Sequence, residues 1–139
     1  MKSNIDYGKS IGAIVGGFFV RTGLGAIGTV IAAKLLIPSS PADQMPTITT
    51  SYLSLMLIIN IGTSIIGGYV TAAIAGVYRL HHAIVFAAII FALSVLFLML
   101  PAGAFPGSEL FPSWYPLTSG VISPICIVIG GWLRHRKAA

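Results

Sequence analysis

Charge is what this chain has least of. Only 8% of its 139 residues are charged, and three are acidic, whereas 56% are hydrophobic. A soluble domain carries roughly a quarter charged residues, and one of this size could not cover so much apolar surface with so few charges. The class that remains is one for which lipid is the solvent. Cysteine is nearly absent too: Cys126 is the single one, so no internal disulfide forms and no metal-ligand spacing arises. It reads as a small apolar filler.

The same scarcity excludes most enzyme chemistry. The apolar runs contain no pair of carboxylates for acid–base work and no paired cysteines for redox chemistry. Gly62-Thr63-Ser64 has no histidine at comparable depth to activate a hydroxyl. Gly16-Gly17 and Gly67-Gly68 lack the strand–turn–helix setting of a phosphate loop. His81, His82 and His135 offer imidazoles, but adjacent histidines share an ion poorly and no carboxylate supports them. Neither an enzyme nor a cofactor or metal site is expected. The net charge of +5 does not point to nucleic acid, because the basic residues are scattered at run ends rather than gathered on one face.

What the chain does have is long apolar runs. A membrane-spanning helix needs about 20 apolar residues. Four segments qualify: Ile11 to Ile37, Ser51 to Tyr78, Ala83 to Leu100, and Trp114 to Leu133. They are continuous and not alternating, which selects helices over strands. The expected fold is all-α, a four-helix transmembrane bundle of two antiparallel hairpins in a single membrane domain over 1–139. Lys2 and Lys9 before the first run imitate a signal peptide, but Arg21 interrupts the run and it continues without a convincing cleavage site, so a retained helix is expected. Pro38-Ser39-Ser40-Pro41 to Pro46, Arg79 to His82, and Pro101 to Pro112 read as the connections. Pro124 predicts a kink in the fourth helix.

Basic residues orient the molecule. Lys2, Lys9, Arg79, Arg134, Arg136 and Lys137 fall on one side, against Lys34 with Asp43 and Glu109 on the other. The positive-inside rule then places both termini in the cytoplasm. Tyr7, Tyr52, Tyr78, Trp114, Tyr115 and Trp132 lie near run ends, where aromatic belts sit.

Small residues recur every four positions in the second helix: Asn60, Ser64, Gly68, Ala72 and Gly76, with Gly67, Thr71 and Ala75 beside them. The first helix has Gly8, Gly12 and Gly16 on one strip and Ala13, Gly17, Arg21 and Gly25 on the next. Such strips let helix backbones approach closely, so the first and second helices are expected to pack together. There is also an internal echo: Tyr52 and Gly67-Gly68-Tyr69 correspond in spacing to Tyr115 and Gly130-Gly131-Trp132, and Asn60 then aligns with Ser123. It predicts a parallel repeat of two hairpins.

Arg21 is the residue that demands a reason. A charge that deep costs about 2.5 to 3.5 kcal/mol on insertion scales. Its neighbours Gly17 and Gly25 are small, so it is expected to face protein, with Asn60, Thr63, Ser64, Ser94, backbone carbonyls or an anion as partners. The alternative is snorkelling to lipid phosphates. Asn60, in mid-membrane, is expected to bond between helices.

Three families share features with these residues. The small multidrug-resistance transporters are similar in length and helix count, but they depend on a glutamate in the first helix, where this chain has Arg21 and no acid. The dual-topology fluoride channels are similar in a Gly-rich first helix leading to an arginine, as Gly16-Gly17 and Arg21 do here, and in a second-helix asparagine before small residues, as in Asn60, Gly62 and Ser64. Their Phe/Thr/Ser-rich third-helix motif has no counterpart between His81 and Leu100. From the second helix to the fourth, the chain most resembles small bacterial four-helix membrane proteins of unassigned activity. Pro46-Thr47, Asn60, Gly67-Gly68-Tyr69, Ala72-Ala73, His82-Ala83, Trp114-Tyr115 and Gly130-Gly131-Trp132-Leu133-Arg134 carry that resemblance, which implies a bacterial inner membrane. The expected role is a structural or accessory membrane component embedded in the lipid bilayer, as a homo-oligomer or in a larger membrane complex. The alternative is a small channel or transporter for an anion or small solute, using Arg21 and Asn60.

Overall fold

A computed structural model describes residues 7–37, 48–76, 78–101 and 111–137. Four helices account for nearly all of them: α1 (Tyr7–Leu36), α2 (Thr50–Ala75), α3 (Arg79–Met99) and α4 (Trp114–Arg136). Each is long and apolar enough to cross a membrane. The shortest, at 21 residues, spans about 32 Å at 1.5 Å per residue. The chain is therefore a multi-pass membrane protein built as an all-α bundle. Lys2, Asp43, Glu109, the Pro38–Pro46 connection, Pro46-Thr47 and most of the 101–112 connection lie outside the described residues.

The ends follow backbone chemistry more than hydropathy. Thr49 caps α2 by accepting from the Tyr52 amide through its hydroxyl at 3.3 Å. The second helix stops at Ala75 rather than Tyr78, because Gly76 takes a left-handed φ of 67°, which a glycine tolerates. The expected turn at Arg79 to His82 is not a turn. Those four residues form the first turn of α3, preceded by Tyr78 with a φ of 54°. A hydropathy run marks where apolar residues begin, while a helix continues through polar ones. The same holds in α4, which extends past Leu133 to Arg136. Pro124 lies inside α4, which continues through it.

Close contacts define the directions. Gly17 packs on Thr71 and Gly67, and Gly28 on Ile59, so α1 and α2 are antiparallel. Gly131 packs on Ala83 and Gly120 on Ser94, so α3 and α4 are antiparallel as well. Asn60 bonds Ser123, and further along both helices Gly68 lies on the Ile127 carbonyl and Gly130 on that of Ile65, so α2 and α4 cross in parallel. Nine α2 residues are buried, against six of α4 and four of α3, which makes α2 and α4 the centre. Lys9, Arg79, Arg134, Arg136 and Lys137 thereby gather at one end, the basic end, and Lys34 lies at the other.

Two strips thus serve different neighbours. Gly16, Gly17 and Gly67 join α1 to α2, whereas Gly68, Gly130 and Gly131 bring α4 against α2 and α3; Ser64 and Ala72 are fully buried. Two of the expected packing residues do not pack. Gly12 faces open space: it lies on the exposed side of α1, while its neighbour Ala13 takes the buried side. Gly76 also meets nothing; it serves as the α2 C-cap. Spacing shows that a residue is small enough to be crossed, but not that a helix crosses it.

A core of Phe86, Ala87, Ile90 and Ile127, with Ile14 and Val128 against it, fills the half nearer the basic end. A second cluster of Ala32, Tyr52 and Leu53, joined by Phe111 and Tyr115, closes the opposite end. Trp114, Trp132 and Tyr78 are exposed, as a belt requires, but Tyr52 is only 5% exposed and belongs to this cluster.

Candidate functional site

Between the two cores lies a polar cavity of about 270 Å³. Arg21, Thr22, Gly25 and Thr29 of α1 line it, with Met56, Ile59, Asn60 and Thr63 of α2. Tyr115, Ser119, Gly120 and Ser123 of α4 complete it, with Ser94 alone from α3. Asn60 stands ten residues into α2, about 15 Å from its start, which is mid-membrane depth.

Arg21 enters this cavity from the side of the basic end. A Cβ on Gly67 would sit 2.9 Å from that of Arg21, so the arginine backbone lies level with Gly67. Gly67 is seven residues, about 10 Å, nearer the basic end than Asn60. The side chain then runs away from the basic end, into the bundle. Its Nε donates to Ser64 Oγ at 3.1 Å, and its Nη2 donates to Asn60 Oδ1 at 3.1 Å and approaches Ser123 Oγ at 3.3 Å. Snorkelling to the headgroups at the basic end is thereby removed: the guanidinium points the other way. Arg21, Asn60 and Ser64 are brought together as the sequence suggested.

The bonds form a chain. Asn60 Nδ2 donates to Ser123 Oγ at 2.8 Å, and Ser123 in turn donates to the Ser119 carbonyl at 2.7 Å. The Asn60 amide thus spends its oxygen on Arg21 and its nitrogen on Ser123, and holds α1, α2 and α4 together. Every partner of the guanidinium is neutral. The chain's three acidic residues, Asp6, Asp43 and Glu109, all lie outside the described residues. Among the described residues none accepts from Nη1, whose two N–H donors face the cavity side of the network. A positive charge with no carboxylate beside it among the described residues, and a cavity next to it, can hold an anion.

Four of the cavity's hydroxyls are committed to their own helices. Thr29, Thr63, Ser94 and Ser119 each donate to a carbonyl of their own helix, at 2.9, 3.2, 2.8 and 3.2 Å. Each hydroxyl has one hydrogen, so these oxygens offer lone pairs to anything in the cavity.

Ser123 was visible in the sequence only as the echo partner of Asn60. Thr22, Thr29 and Ser119 have no place in the sequence reading, and Tyr115 enters it only as a belt and echo residue. Their signal is polar residues at helical spacing inside apolar runs: Ser119 and Ser123 four apart, and Thr22, Gly25 and Thr29 on one α1 face. Among the described residues no cluster of histidine, cysteine or acids could hold a metal ion. Comparison with protein-family models, with curated proteins and with solved structures finds no match.

Proposed function

We propose that this protein binds a compact anionic group in its mid-membrane cavity and acts as a small channel or transporter rather than as an enzyme. One observation carries the reading: the Arg21 guanidinium is bonded to Asn60, Ser64 and Ser123, has no acidic partner among the described residues, and faces a cavity of about 270 Å³. That volume lies just below the roughly 300 to 1,000 Å³ of ordinary small-ligand pockets, which suits a compact solute. A purely structural or accessory component can be packed solid, and has no use for polar groups converging on a void at the depth where they cost most. In this reading the basic end is cytoplasmic, in a bacterial inner membrane, and both termini lie there.

Proteoliposomes test it. Flux of chloride, nitrate, acetate or phosphate should exceed that of empty vesicles, and Arg21→Gln should abolish the excess. An anion flux that is equal in parent and Arg21→Gln, or absent for every anion together with absent binding, contradicts the proposal.

A further inference from the structure

Two observations narrow the ligand, on the premise that the cavity binds an anion. The first is the side on which the cavity opens. Its α1–α2, α2–α4 and α4–α3 walls are closed by the Gly28–Ile59, Asn60–Ser123 and Ser94–Gly120 contacts. α1 and α3 meet near the basic end, where His82 Nε2 lies 2.9 Å from Ser10 Oγ and Ile14 packs on the Phe86 core. Beyond Ile90, α3 has no buried residue, and Ser94 is its only contribution to the cavity. Among the described residues the fourth wall is therefore open on the outer, lipid-facing side of the bundle. Phe91 and Leu98, three and four positions from Ser94 and on its face, are 49% and 42% exposed beside that opening. The gap is polar inside, with the apolar Phe91 and Leu98 on its α3 edge.

The second observation is the division of donors and acceptors. Arg21 Nη1 supplies donors for a negative charge, while Thr29, Thr63, Ser94 and Ser119 have their hydrogens committed and present acceptor oxygens. A bare anion satisfies the arginine and leaves those oxygens facing like charge. A group that carries both an anion and hydroxyl donors satisfies both sets.

We propose that the cavity receives, through the α1–α3 gap, the hydroxyl-bearing anionic headgroup of a membrane amphiphile, of the glycerol-phosphate type. The phosphate rests on Arg21, the hydroxyls donate to the serine and threonine oxygens, and the acyl chains stay in lipid along Phe91 and Leu98.

Native mass spectrometry of the full chain in neutral detergent tests this with four probes: phosphatidylglycerol, phosphatidylcholine, phosphatidic acid and free sn-glycerol phosphate. One phosphatidylglycerol should bind at least about ten-fold more tightly than each of the other three, a difference of about 1.4 kcal/mol. Arg21→Gln should remove that preference. Should that variant fail to fold, Thr22→Trp, at an exposed α1 position on the cavity rim, should weaken phosphatidylglycerol about ten-fold by narrowing the gap. Equal binding of free glycerol phosphate overturns the lipid source, and equal binding of phosphatidic acid overturns the hydroxyl requirement. Either result leaves the anion reading standing. Loss of binding by all anionic probes, with no response to either variant, overturns both.

Discussion

Asn60 and Ser123, 63 positions apart and equivalent in the internal echo, donate and accept a 2.8 Å hydrogen bond across the α2–α4 crossing. Equivalent residues meet when two parallel helices face each other about an axis between them. Gly68 on Ile127 and Gly130 on Ile65 flank that pair on its basic-end side. The polar pair and the glycine crossing therefore belong to one contact. A double-mutant cycle of Asn60→Ala and Ser123→Ala should give a coupling of about 0.6 to 1.7 kcal/mol in a membrane-mimetic unfolding titration. Additive single-mutant effects would mean that the bond contributes nothing to holding α2 on α4.

The glycines should divide sharply. A Cβ on Gly68 would collide with the Ile127 backbone, which cannot rotate away as a side chain could. Gly68→Leu should destabilise by at least about 1 to 3 kcal/mol, or prevent folding. Gly12→Ala has open space and should be neutral, or stabilise by up to about 1 kcal/mol by removing a helical glycine. Unfolding in detergent measures both; similar costs at the two positions would contradict the packing described.

Much of this was legible in the sequence, for physical reasons that differ by feature. Membrane helices announce themselves because lipid leaves the backbone no other choice. A buried arginine limits its partners to the few polar residues at its depth, so Arg21 with Asn60 could be named in advance. Which neighbour a glycine serves could not. Gly67 and Gly68 are adjacent yet face α1 and α4, because successive helical positions are about 100° apart and the strip does not say which helix lies where. Tyr52 misled for a related reason: an aromatic near a helix end is a belt residue or a plug, depending on whether another helix lies beside it. The open side of the cavity, which depends on α1 and α3 parting, left no mark in the pattern.

Arg21 should separate stability from binding. Arg21→Leu removes a charge from the membrane interior, and Asn60 and Ser123 keep the bond between them. Stability should be unchanged or rise by up to a few kcal/mol, while anion binding is lost. Arg21→Lys keeps the charge but loses the planar fork whose separate nitrogens reach Ser64 and Asn60 while Nη1 faces a ligand, so affinity should fall on the order of ten-fold. Thermal unfolding and equilibrium binding on the same samples check this; full binding by Arg21→Leu would contradict the assignment.

The basic asymmetry predicts sidedness. With Cys126 replaced, single cysteines at positions 39–45 should react with an impermeant thiol reagent only from the face opposite both termini. Reaction only from the cytoplasmic face would invert the topology.

The central claim is that an anionic group rests on Arg21 in the middle of the membrane. Anomalous diffraction from crystals grown in bromide tests it most directly, because bromide reports position without needing the natural ligand. The account predicts a bromide peak inside the cavity within hydrogen-bond reach of Arg21 Nη1, absent in crystals of Arg21→Gln. A cavity without bromide, with the guanidinium bonded only to protein or turned to the lipid headgroups, would contradict it.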